Sequence, residues 1–336
     1  MNRWPRITGI FGLAALFTPG LVAAASADVV NLYNFGVTLS GNTVFTDNFS
    51  TGTLNGGSGA VLPAGPQYSD GTTALYQVIG TLPETGTPPT SKATLDTALG
   101  AQVTQSGQFQ PVVNLNVVTL LTGPAGAGLS NFPLTRTSAF STSALFDVTP
   151  PATVGGFYQV NLSNRVPSNN FQGDVLSMSV FNCTPAACQG LASGYYIELV
   201  DANAVSGVVT QHDWVSLNTS NQQILLELTK PDPLSDTVDG YYEYFNGGVG
   251  SGLIFLGAYS GLFGSGPGQL DHTEAGFVQL AAVPEPSSFL LLAGAIAGVA
   301  GLGWRRGRNA TGGRLADYAP CPLSQAMIKH ASQPGD

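Results

Sequence analysis

The sequence predicts an all-β fold, a two-sheet antiparallel β-sandwich, on three observations. Turn residues recur about every eight to fifteen positions, the segments between them are short and rich in β-branched and aromatic residues, and no long window carries a helical stripe. The clearest predicted strands are 73–79, 112–121, 157–162, 175–181, 195–200, 224–229, 241–245, 253–256 and 277–280. In the fifth of these, Tyr195, Ile197 and Leu199 share one face and Glu198 points the other way, as a strand with one buried side requires. Sheets with one apolar face must bury it, and packing two of them together is the economical solution.

The two ends of the chain read as address labels. Arg3 and Arg6 precede an apolar run at 7–17, a Thr18-Pro19-Gly20 break and a small-residue stretch ending in Ala25-Ser26-Ala27. This is the order of a secretory signal peptide, with cleavage after Ala27 and a mature chain starting near Asp28. At the other end, Pro284-Glu285-Pro286 precedes eighteen apolar or small residues, 287–304, followed by Arg305, Arg306 and Arg308. A helix of that length spans ~27 Å, enough for a thin bilayer, and its arginines stay on the cytoplasmic side.

The Pro-Glu-Pro stop, apolar span and arginine cluster together resemble the PEP-CTERM sorting signal. That resemblance implies recognition by the membrane transpeptidase-like exosortase, removal of the span, and release or transfer to the surface of a Gram-negative, exopolysaccharide-making bacterium. A plain membrane anchor is the alternative. Residues 309–336, with Cys321, extend beyond the usual end of such a signal and are expected to form a disordered cytoplasmic tail. The expected organisation is therefore a signal peptide at 1–27, a secreted β-domain at 28–282, a sorting segment at 283–308 and the tail.

Residues 28–283 hold 17 acids against 4 bases (Lys92, Arg136, Arg165 and Lys230), a net charge of −13. That balance repels phosphate backbones and anionic lipid surfaces, which argues against nucleic acid as a partner and limits membrane contact to the C-terminal helix. Cys183 and Cys188 are the cysteines of the mature body, and in an oxidising compartment they are expected to form a disulfide that pins the connection between two strands.

The order of segments also resembles the concanavalin-A-like lectin and glucanase domains, a jelly-roll sandwich. The resemblance begins with the Asp-x-Phe turn in Thr46-Asp47-Asn48-Phe49 and ends with a late hairpin, 222–229 with 241–248, closing on Gly247-Gly248. It implies the fold and a glycan ligand, and no sugar or metal residue of the family carries over.

The chemistry of a glycosidase is not evident. A retaining pair needs two carboxylates about 5 to 5.5 Å apart, and acids at i and i+2 on a strand would supply it. No acids in the body are two apart, and the pairs three apart, such as Glu198 and Asp201, fall on opposite faces of a strand. His212 and His272 are the body's histidines, read as surface or loop residues; no G-x-S-x-G or H-E-x-x-H pattern accompanies them. Asp232, Asp236 and Asp239 gather in one turn, which reads either as a calcium site or as a solvated acidic loop. Beside it, Tyr242 and Tyr244 share a face, placed either to stack on sugar rings or to join the core. The expectation is a non-catalytic exported protein associated with the exopolysaccharide matrix, as a structural or lectin-like glycan-binding component. A secreted glycan hydrolase is the alternative, and a hydrated or glycosylated scaffold a third.

Overall fold

Alternation of apolar and polar residues builds two sheets whose apolar rows meet. The structure, a computed structural model, describes residues 29–55, 60–86, 91–96, 101–103, 112–122, 132–165, 173–183, 191–203, 208–263 and 272–283. The cleavage residues Ala25 and Ala27, the sorting residues Pro284, Glu285, Pro286, Arg305, Arg306 and Arg308, and Cys188 lie outside them.

Twenty strands are described. They run β1 (Val29–Leu39), β2 (Asn42–Asp47), β3 (Thr53–Asn55), β4 (Ala60–Gln67), β5 (Thr73–Ile79), β6 (Thr81–Thr85) and β7 (Lys92–Asp96). There follow β8 (Ala101–Val103), β9 (Val112–Leu120), β10 (Leu134–Thr135), β11 (Phe140–Asp147), β12 (Phe157–Arg165), β13 (Gly173–Cys183) and β14 (Gly194–Asn203). The last are β15 (Val208–Ser216), β16 (Gln223–Lys230), β17 (Thr237–Asn246), β18 (Val249–Gly250), β19 (Ile254–Ser260) and β20 (His272–Val283).

They form two ten-stranded sheets. The first runs β18-β17-β16-β11-β1-β7-β6-β3, with β19 on β17 and β2 on β1; the second runs β15-β14-β13-β12-β20-β9-β5-β4, with β10 on β20 and β8 on β9. Every pairing is antiparallel. The all-β expectation holds, and no described residue is helical. β11 and β16 alternate buried and half-buried residues without a break, so Phe146, Leu226 and Leu228 enter the space between the sheets. Val160, Met178 and Leu199 of the second sheet belong to the same core. Gly240 of β17 leaves room for Met178, whose sulfur would lie 2.6 Å from an added Cβ.

At the centre of that core, Phe35, Phe45, Phe49, Tyr76 and Phe277 form a set of ring contacts with centroids 5.2 to 6.4 Å apart. Asp47 is buried among them, within the turn that the sequence marks as Asp-x-Phe. Its Oδ1 accepts the Phe49 backbone N–H at 2.8 Å and its Oδ2 accepts the Tyr76 hydroxyl at 2.9 Å. The first bond holds Phe49 at φ 54°, a left-handed conformation unusual for a residue with a side chain. Glu84 completes the turn by accepting the backbone N–H of Thr51 (3.0 Å) and of Gly52 (2.8 Å).

Burial pushes the Asp47 carboxyl up from 3.8 to about 7, with its two hydrogen bonds opposing the shift and the nearby Glu84 adding to it. Between these values the unfolded chain has lost the proton that the folded chain keeps, so stability falls as pH rises from about 4 to 7. The contribution lost is at most roughly 4 kcal/mol for a shift of that size. Urea unfolding of the parent at several pH values is expected to show this slope, and Asp47→Asn, which keeps an acceptor for Phe49, is expected to remove most of it. An equally steep slope in the variant would show that another group is responsible.

Candidate functional site

The outer face of the second sheet does not behave as a solvated face. Gln159, Asn161, Ser177, Ser179 and Glu198 project from β12, β13 and β14 away from the core, and all are buried. Asn161 Oδ1 has no hydrogen-bond partner among the described residues. Glu198 is held by Ser179 Oγ, which donates to its Oε1 at 3.1 Å, and by Gln211 Nε2, which donates to its Oε2. Burial pushes its carboxyl up, against the pull of the Gln211 and Ser179 hydrogen bonds. A raised acid keeps its proton to higher pH and can then donate a hydrogen bond as well as accept one.

This polar row reaches the surface at β15, the edge strand of the second sheet. Trp214 stands directly opposite Glu198 in the β14–β15 register, and its side chain is exposed. Of the chain's three tryptophans, Trp4, Trp214 and Trp304, it is the one among the described residues. An exposed indole beside amide, hydroxyl and carboxyl groups offers one apolar platform and several directed polar contacts, as a small neutral ligand requires.

The other side of β15 faces the first sheet. The register shifts between Leu199 and Val200, which pair with Asp213 and Gln211, so His212 is the extra residue of a β-bulge. The bulge turns His212 inward, where Nε2 lies 2.5 Å from Asp201 Oδ1 and the ring packs on Tyr259 with centroids 4.8 Å apart. Tyr259 of β19 donates its hydroxyl to Asp201 Oδ2 at 3.4 Å, which ties the edge of the first sheet to that of the second. Glu198 and Asp201 thus lie on opposite faces of β14, as their spacing requires. His212, expected on the surface or in a loop, is instead a half-buried strand residue.

For two further groups of residues the sequence left two readings open. Tyr242 and Tyr244 do not present their rings to solvent. Tyr242 is buried in the core, Tyr244 packs against it with ring centroids 5.6 Å from Tyr242, and the Tyr244 hydroxyl accepts the Asn218 backbone N–H at 2.8 Å. Tyr241, on the opposite face, meets the exposed Phe255. The reason is register: Tyr242 sits opposite Leu226, whose side chain is fully enclosed between the sheets.

Asp232, Asp236 and Asp239 do not converge either. Asp236 is taken by Arg136 in a two-pronged ion pair at 2.6 and 2.7 Å. Asp232 turns its Oδ1 back to the Leu234 N–H at 2.8 Å, while its backbone carbonyl accepts the buried Lys230 ammonium at 2.7 Å. Asp239 lies within β17 beside Tyr241, whose hydroxyl is 3.4 Å from its Oδ2. Arg136 already holds the Asp236 carboxylate and Lys230 the Asp232 carbonyl, and no group of three His, Cys, Asp or Glu side chains that could hold a metal forms among the described residues. The melting temperature of the secreted form is therefore expected to be the same in calcium and in chelator. Asp236→Ala is expected to cost less than about 1 kcal/mol, as exposed pairs do. A rise of several degrees on adding calcium would overturn this.

No curated protein and no solved structure matches the chain. The PEP-CTERM protein-sorting motif does match, over residues 282–308, beginning with the last two residues of β20. A secreted two-sheet sandwich therefore leads into a sorting segment of the kind processed by exosortase, and the chain carries a PEP-CTERM protein-sorting motif.

Proposed function

We propose that the secreted sandwich is a non-catalytic glycan-binding component of the exopolysaccharide matrix at the surface of a Gram-negative bacterium, with β15 as its binding edge. The observation that carries this reading is Trp214, exposed at the end of the buried polar row Gln159, Ser179 and Glu198, with Gln211 of the neighbouring row bonded to Glu198. The concanavalin-A-like kinship belongs to the same proposal, supported by the Asp47–Phe49 turn and the two-sheet architecture. The body's net charge of −13 favours an uncharged glycan over a uronate-rich one. A hydrolytic role gains no support at this edge, because Glu198 and Asp201 point away from each other and both Glu198 oxygens are already bonded.

Cys183, at the end of β13, is buried and disulfide-bonded. Cys188 is its proposed partner, since Cys183 pairs with Gly194 across a hairpin whose connection contains Cys188. Opening so short a loop, with Cys188→Ser, is expected to cost about 2 kcal/mol in urea unfolding. An unchanged stability, or a free Cys188 thiol in the parent, would rule the pairing out.

The binding reading is tested by passing the secreted form over immobilised exopolysaccharide from the producing organism. Saturable retention is expected, weakened about tenfold in Trp214→Ala, the loss of roughly 1.4 kcal/mol that one aromatic contact supplies. Retention that is equal in parent and variant would displace the site from β15. No retention of the parent would leave a scaffold without ligand.

A further inference from the structure

The strand register divides the sandwich into two poles. β20 ends at Val283, which pairs with Val112, and Leu280 of the same strand pairs with Phe157. Phe157 pairs with Phe181, Asn182 with Tyr195, and the Gly155 N–H donates to the Asn182 carbonyl at 2.9 Å. In the first sheet, Asp147 pairs with Gln223, Gln223 with Phe245, and Asn246 with Val249. Val29 and Gln279 wall one cavity of about 200 Å³ with Pro150, Pro151 and Phe157, which places the sheets' two ends side by side. The chain therefore enters the sandwich at Val29 and leaves it at Val283 from the same pole.

Exposed apolar side chains gather at that pole, beside the polar turn 218–222 and with Asp96 opposite Val29 in the register. Val154 is 53% exposed, Val249 74% and Leu253 50%, and Val29 and Tyr195 are exposed beside them. Asp147, an acid on its rim, is covered by Tyr33, whose hydroxyl donates at 2.7 Å, and by the Asn31 amide. The opposite pole, where Phe140 pairs with Lys230, carries Asp232, Asp236 and Arg136. The poles are ~23 Å apart along β11, at about 3.3 Å per residue.

Between Val283 and the apolar run that starts at Ser287 stand three residues, Pro284, Glu285 and Pro286. A tether of that length reaches at most ~14 Å when fully extended. If the run 287–304 enters a bilayer, the pole at Val283 is held against the lipid surface. A charged pole would be repelled there, whereas one of exposed Val, Leu and Tyr gains by partial burial.

We propose that, until the sorting cut is made, the sandwich rests on the membrane surface through the Val283 pole, with the Asp232–Asp236 pole directed away. The inference rests on reading residues 287–304 as a membrane span. Its test uses the full chain in vesicles of phosphatidylcholine containing brominated lipid, with Cys321→Ser removing the tail thiol. A fluorophore is attached at Val154→Cys in one variant and at Leu234→Cys, 95% exposed at the far pole, in another. Quenching of the Val154 label at least twofold greater than that of the Leu234 label is expected. Equal or absent quenching in chains that float with the vesicles would overturn the contact and leave the span intact. Chains that fail to float would overturn the span and the contact together.

Discussion

The aromatic cluster that bridges the sheets depends on one buried carboxyl. Asp47 holds Phe49 in a left-handed turn and takes the Tyr76 hydroxyl, so that Phe49 of the first sheet's side and Tyr76 of the second both close on Phe277. A carboxyl at such a position is costly to ionise, and two hydrogen bonds offset only part of that cost. The turn after β2 is thus specified by a polar group in the middle of the core. Apolar packing alone would not select that backbone geometry.

The strands were legible where alternation is clean. The predicted segment 73–79 coincides with β5, and those at 157–162, 175–181, 195–200 and 224–229 all lie within β12, β13, β14 and β16. β15 was not legible, because Thr210, Gln211, His212 and Asp213 interrupt any apolar period. The bulge at His212 explains that interruption, since it sends neighbouring polar residues to different faces. Partners distant in sequence decide the readings that the sequence left open. Tyr242 and Tyr244 look alike in sequence to exposed aromatic pairs, and only their position opposite Leu226 and Ile224 shows that they face inward. The carboxylates near 236 looked clustered because sequence proximity ignores a partner 100 residues away, Arg136.

Glu198 illustrates a different limit. Its alternation was read correctly, with Ile197 and Leu199 in the core and Glu198 opposite, but a face opposite the core was taken to be a face in water. The outer row of β12 to β14 is instead enclosed and polar. Such a row is stable only if its donors and acceptors are matched, and Glu198, Ser179 and Gln211 satisfy one another while Asn161 keeps an unmet acceptor. That acceptor lies in the neighbouring row, opposite Ser177, with β13 and β14 between it and Trp214.

The two proposals place function and attachment on different parts of the surface. Glu198 and Trp214 pair four residues beyond Gly194 at the Val283 pole, and Asn203 marks the end of β14 at the other. The binding edge therefore lies along the flank of the sandwich. A body resting on its Val283 pole keeps that flank open to the matrix, and the His212–Asp201–Tyr259 contact keeps β15 fastened to β19 beside it. Severing the tether at 284–286 frees the pole without altering the edge, since Val283 and Trp214 belong to strands separated by β12, β13 and β14 in the same sheet.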